Sequence, residues 1–246
     1  MGEVLAVLSG KGGTGKTSVC AGIALALAAQ GRRVLCIDCD VGLRNLDISL
    51  GMSDSSALSF LDVCQGGYTL DQAPRNADFP NLSFLTAPMN RTVEQIDLAP
   101  LGQMLRTARQ RFDYIFLDAP AGVDAGFRLV SSLADRFLVV TLPGPAAVRD
   151  ASRVSDLLEL MGKGDVRLVV NRVEKSLLKT VRLTIDDVMD AAGLPLLGLV
   201  PEDHNVILAA SFGRSVLRYS PRCQAQRAYY RLARRIQGYR EPIPFK

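Results

Sequence analysis

Apolar runs of strand length recur along the chain: Val4–Leu8, Val34–Asp38, Leu82–Pro88, Tyr114–Asp118, Phe137–Leu142, Val166–Val170 and Leu196–Val200. Most are continuous rather than alternating, the pattern of strands covered on both faces. Between them lie stretches with helical character: Val19–Ala29, a short one near Leu58 to Cys64, Leu98 to Arg111, one following Pro145, and a last one from Ser220 to about Gln237. Ser220 and Pro221 offer the last helix an N-cap and a proline at N1, and Thr184 with Asp187 reads as another cap with an acid at N3. Strand alternating with helix predicts an α/β fold, a mainly parallel sheet with helices on both faces in three layers.

The chemistry gathers where apolar runs end. The first run passes into its helix through Ser9-Gly10-Lys11-Gly12-Gly13-Thr14-Gly15-Lys16-Thr17-Ser18, and Gly10–Thr17 fits G-x-x-x-x-G-K-[ST] in full. Glycines let successive backbone N–H groups curl around one anion, and the following helix N-terminus adds its partial positive charge. Residues 10–18 therefore read as a phosphate cradle, with Lys16 reaching the β- and γ-phosphates and the Thr17 hydroxyl placed for Mg²⁺. The second run delivers Asp38 and Asp40 at spacing i, i+2, so both lie on one side, and the run Tyr114–Asp118 delivers a further carboxylate, Asp118, for the metal.

Lys11 is a second lysine inside the cradle, and the form from Lys11 to Thr17 resembles the deviant Walker A loop of the MinD/ParA family of P-loop ATPases. The segment from Asp38 through Val41-Gly42-Leu43-Arg44-Asn45 to Asp47 resembles switch I of the MinD branch, and Asp118-Ala119-Pro120-Ala121-Gly122 resembles its switch II. The resemblance covers Val4 to about Gln237. It implies an ATP-hydrolysing homodimer in which Lys11 reaches the partner's nucleotide, Asp40 orients the attacking water and Asp38 helps hold the metal shell. By the same resemblance the Gly122 backbone senses the γ-phosphate, Asn45 touches the nucleotide or the partner subunit, and Asn171, Pro201 and Asp203 border the adenine. The helix carrying Arg149, Asp150 and Arg153 is similar to the one that meets regulator proteins, although such charges also suit an ordinary solvated helix face. The function implied is a nucleotide-dependent dimerisation switch in the spatial regulation of cell division. A ParA-type segregation ATPase or a flagellar-number regulator, sharing every phosphate ligand, is the alternative.

Composition changes this picture in three places. At 246 residues without a linker or repeat, residues 1–246 read as one domain. Five cysteines do not make a disulfide framework, and Cys36 and Cys39, three apart at a strand, point to opposite faces rather than to one metal. No cysteine follows Asp118 before Cys223, which argues against a reductase with a bridged iron–sulfur cluster. Tyr229, Tyr230 and Tyr239 fall largely within a helix, unlike the terminal tyrosine cluster of a bacterial tyrosine kinase.

The net charge of +4 conceals an asymmetry, for residues 205–240 hold eight arginines and no Asp or Glu. On the last helix Arg227, Arg231, Arg234 and Arg235 lie largely away from the apolar face of Ala225, Tyr229, Leu232 and Ile236. MinD-branch proteins usually continue into a basic amphipathic membrane helix; Pro242 and Pro244 leave no room for it within residues 239–246, so either the natural chain runs further or another part of it meets a surface. The arginines are thus the expected contact with an anionic membrane or with DNA. With no secretory leader and no apolar run near 20 residues, the expected location is the cytoplasm, including the inner face of the membrane as a peripheral site.

Overall fold

The computed structural model describes residues 1–53, 58–89 and 91–243. Pro244 of the tail, read above with Pro242, lies outside the described residues. The apolar runs fold as β1 (Glu3–Leu8), β2 (Val34–Asp38), β3 (Leu82–Leu85), β4 (Tyr114–Asp118), β5 (Arg136–Thr141), β6 (Val166–Val173) and β7 (Leu196–Pro201). The α-helices are α1 (Lys16–Ala29), α2 (Leu46–Leu50), α3 (Phe60–Cys64), α4 (Leu98–Arg111), α5 (Ala125–Leu133), α6 (Pro145–Leu160), α7 (Lys175–Thr180), α8 (Ile185–Ala192), α9 (His204–Ser211), α10 (Val216–Tyr219) and α11 (Gln224–Ile236).

The strands form one sheet in the order β3-β2-β4-β1-β5-β6-β7, every neighbouring pair parallel. Period-two alternation sorts each strand between two cores. Val4, Ala6 and Leu8 join residues of α4, α5, α6 and α8, whereas Leu5 and Val7 join α1, α9, α10 and α11. Cys36 and Cys39 fall in opposite cores, as their spacing predicts, and all five cysteines are free. The central strand β1 sits where the chain changes direction, with β4 on one side and β5 on the other. That switch point places the cradle at the carboxyl edge of the sheet.

Helix α1 is apolar nearly all round because it is nearly all covered. Its Gly22 admits the ring of Tyr229 from α11; a Cβ there would lie 2.5 Å from the ring.

Three boundaries differ from the sequence reading. The last helix begins at Gln224 rather than Ser220, because Arg222 takes a left-handed φ of 74° and Cys223, not Ser220, caps it by accepting from the Gln226 N–H. Strand β6 continues through Asn171 to Val173, with a register shift after Val170 and Arg172 at φ 52°, so Asn171 stands inside a bulged strand rather than past its end. Leu46 and Asp47, the end of the segment read as switch I, open a short helix that runs to Leu50. Thr184 and Asp187 form the expected capping box of α8.

Gly22→Ala should lower the stability of the folded chain by about 1–3 kcal/mol, because a buried ring must move off α1. Urea denaturation of the two proteins checks this; an unchanged midpoint would mean that the α1–α11 seam yields freely.

Candidate functional site

The cradle is a left-handed backbone curl. Gly13 and Gly15 both have φ 80°, and Gly15 is the N-cap of α1. The loop is held from behind: a Cβ on Gly10 would lie 2.4 Å from the Asp150 carbonyl oxygen of α6, and one on Gly15 would lie 2.3 Å from Asn171 Nδ2. Asn171 Nδ2 donates to the Thr14 carbonyl at 2.8 Å, and the Gly122 N–H donates to the Ser9 carbonyl at 3.0 Å. Thus β6 and the loop after β4 both brace the cradle through its carbonyls.

Beneath the loop lies a buried charge cluster. Pairing of β2 with β4 sets Asp38 beside Asp118, each 1% exposed. Lys16 Nζ lies 2.7 Å from Asp118 Oδ1 and 3.5 Å from Thr17 Oγ1. Burial alone would lower the Lys16 pKa; the charge and hydrogen bond of Asp118 outweigh it, and the ammonium titrates above its ordinary value. Burial, and secondarily the Asp118 charge, push the Asp38 carboxyl up to about 7.

Asp38 organises the loop that follows it. One oxygen accepts the Asp40 N–H at 2.9 Å and the other the Leu46 N–H at 3.2 Å. Asp40, half-buried, accepts from the N–H groups of Gly42 and Leu43, each at 3.2 Å. Arg44, at φ 50°, donates to the Thr86 hydroxyl beyond β3.

The residues present fit a nucleotide and its metal. Thr14 Oγ1 is buried without a hydrogen-bond partner, and Cβ atoms on Gly12 or Gly13 would meet nothing within 4 Å, so the cradle is open toward a ligand. The Thr17 hydroxyl and the Asp38 and Asp118 carboxylates are hard oxygen donors, the kind Mg²⁺ takes alongside phosphate.

Comparison with known proteins places this geometry. Residues 5–216 match the CobQ/CobB/MinD/ParA nucleotide binding domain. The chain belongs to this family. It is 36% identical over 247 residues to the septum site-determining protein MinD of Synechocystis, covering 100% of this chain and 92% of that protein. With MinD of Bacillus subtilis it shares 38% identity over 248 residues, covering 99% and 92%. Among solved structures, a MinC:MinD complex of Aquifex aeolicus superposes with a TM-score of 0.89 at 33% identity, covering 99% of this chain and 98% of that one. MinD of Pyrococcus horikoshii complexed with Mg-ADP follows at 0.83 and 28%, covering 96% of both. The chain is a MinD-like P-loop ATPase whose cofactors are ATP and Mg²⁺.

Against that family, the structure brings most of the residues singled out in the sequence together. Asn171, Pro201 and Asp203 line one small cleft beside Gly15 and Ser18. Tyr229, read as a core residue, also lines it, and so does Ile207; nothing in the local sequence marks either, since α9 and α11 meet the site only by folding. Asp203 does more than border the cleft: it accepts from Asn205 N–H and, through its other oxygen, from Ala225 N–H of α11. Lys11 departs from its own cradle and pairs with Asp150 Oδ2 of α6 at 3.7 Å, both half-exposed. Of the helix arginines, Arg235 Nη1 donates to the Leu197 carbonyl and its fork holds the Glu241 carbonyl, while Arg234 pairs with the Glu241 carboxylate and covers Tyr239. These two therefore fasten the tail; of the other two, Arg227 is exposed and Arg231 half-buried, and neither makes an ion pair among the described residues.

The raised Asp38 pKa has a signed consequence. Unfolded, the carboxyl releases its proton near pH 4; folded, it keeps it until about 7. In nucleotide-free protein Asp38 thus favours the folded state at low pH, and this contribution is lost as pH rises through that window. Urea midpoints at pH 5.5 and 8 should show Asp38→Asn costing more stability at the lower pH; an equal cost at both would contradict the shift.

Proposed function

We propose that the chain is a nucleotide-gated dimerisation switch acting in the placement of the division septum, working in the cytoplasm and at the inner face of the membrane. The observation that carries the reading is Lys11. A lysine among phosphate ligands ordinarily turns inward, but this one rests 3.7 Å from Asp150 on a neighbouring helix, and a half-exposed ion pair of that length is weak. It is free to exchange Asp150 for the phosphates of a facing copy. Septum-site proteins at 36% and 38% identity, spanning nearly the whole chain, support the cellular role.

In this reading bound ATP and Mg²⁺ supply the transferable phosphoryl group and neutralise its charge. The N–H groups of the cradle and the Lys16 ammonium hold the phosphate oxygens, and the Thr17 hydroxyl with Asp118 takes the metal. Asp38 orders the following loop by gripping Asp40 and Leu46, and Asp40 orients the attacking water. Gly122, whose N–H now rests on Ser9, gives the γ-phosphate a backbone contact. Asn171, Pro201 and Asp203 border the base.

Helix α6 offers Arg149, Asp150 and Arg153 to a regulator. The neighbour solved as a MinC:MinD complex supports a protein partner there. When Lys11 leaves, the Asp150 carboxylate becomes available, which ties regulator docking to the dimer. Arg227 and Arg231 on each α11 form a weak anionic-surface contact that a dimer doubles, favouring membrane over free protein.

Lys11→Ala should keep nucleotide binding yet remain a monomer with ATP by light scattering and lose turnover. Asp40→Ala should dimerise with ATP while phosphate release falls by about 100-fold or more. Dimerisation of Lys11→Ala would remove the trans-acting role.

With Asp40→Ala loaded with ATP, sedimentation with phosphatidylglycerol vesicles should occur and should be lost on Arg227→Glu and Arg231→Glu. Sedimentation with duplex DNA alone would favour the segregation reading.

A further inference from the structure

Beside the edge strand β7, beneath the α7–α8 crossover, lies a groove of ≈ 1090 Å³ that shares no residue with the nucleotide site. Its walls are apolar, formed by Leu178, Ile185, Met189 and Leu199. Its sides differ in chemistry: Lys175, Lys179 and Arg182 line it from α7 and the turn that follows, and Leu196, Leu199 and Ile243 line it from β7 and the tail. Both cations are exposed, and neither has a carboxylate within ion-pair distance among the described residues. Arg182 is held at φ 52° in the turn after α7, which fixes its backbone at the groove mouth. Among the described residues Asp186 is the one carboxylate lining the groove, outnumbered there by Lys175, Lys179 and Arg182.

We propose that this groove binds a long-chain acyl anion, its carboxylate between Lys179 and Arg182 and its chain laid along Ile185, Met189 and Leu199 toward Ile243. The volume lies just above the ordinary range of small-molecule sites, about 300–1,000 Å³. A cationic mouth on an apolar trough complements one amphiphile: the head group supplies the missing counter-charge, and the alkyl chain removes the exposed apolar wall from water. An acidic protein segment would instead want cations on both walls, and here all three come from α7 and the turn after it.

The test is fluorescence titration of the full chain with cis-parinarate, competed with oleate. Saturable one-to-one binding is expected, about tenfold weaker in the Lys179→Glu, Arg182→Glu double variant. Met189→Lys should abolish it by placing a charge in the trough. ATP turnover should be unchanged in all of them, since none of these residues touches the cradle. Should Met189→Lys fail to fold, the double variant decides alone, for both its positions are exposed. No saturable binding, or equal affinity across the variants, would overturn the proposal. So would variants that lose only phosphatidylglycerol vesicles while keeping parinarate, since the cations would then serve a bilayer surface and not a single chain.

Discussion

The contact between Lys16 and Asp118 is the constraint around which the site is assembled. Two opposite charges with side chains 7% and 1% exposed meet at 2.7 Å at the tips of two adjacent elements. Their desolvation is repaid only because each has the other, and removing one partner of such a buried pair typically costs about 3–5 kcal/mol. Asp38, on the neighbouring strand, cannot join the pair on equal terms. It sits beside Asp118 in the ladder and holds its proton up to about pH 7 as a result of burial and that like charge. The site is thus electrostatically stressed when empty, and a divalent cation is the species that would relieve both carboxylates at once.

From that cluster the surrounding loops are hung by single hydrogen bonds to backbone. Asp38 grips the loop before α2 at two N–H groups, Gly122 rests on Ser9, and Asn171 rests on Thr14. The last two join the cradle to the loop after β4 and to β6, so a change at the phosphates is felt by both. Asp203 extends the connection, because one carboxylate accepts from the N-terminal turns of both α9 and α11. The cleft of Asn171, Pro201 and Asp203 and the basic last helix therefore share a joint, and α11 is further locked to α1 where Tyr229 fills the space over Gly22. The basic last helix is in this way mechanically continuous with the nucleotide site.

How much of this was legible beforehand depended on the range of the interaction. The strand runs, the cap of α8 and the cradle were readable because each is decided within a few residues: apolar continuity, a Thr–Asp box, glycines before a Lys-Thr pair. The start of α11 was misplaced because Arg222 adopts φ 74°, a tertiary outcome with no local sign. Asn171 was assigned by resemblance to the adenine side, and the brace it makes to Thr14, 157 residues away, could not be read from either neighbourhood. The four arginines of α11 looked equivalent on a helical wheel. Two of them proved to be fasteners for the tail, since the partner carbonyls and carboxylate are brought to them by the fold.

The sequence by itself determined the class of fold and the phosphate cradle, because these rest on short-range patterns that physical chemistry reads directly, and it pointed to the family through the resemblance that its loop segments carry. Only the tertiary structure decided which of several charged side chains face one another. It set Asp38 against Asp118 through strand register, turned Lys11 toward Asp150, and closed the trough beside β7. The reason is common to all three: strand order and helix docking, not neighbours in the chain, set the distances at which charges and apolar walls act.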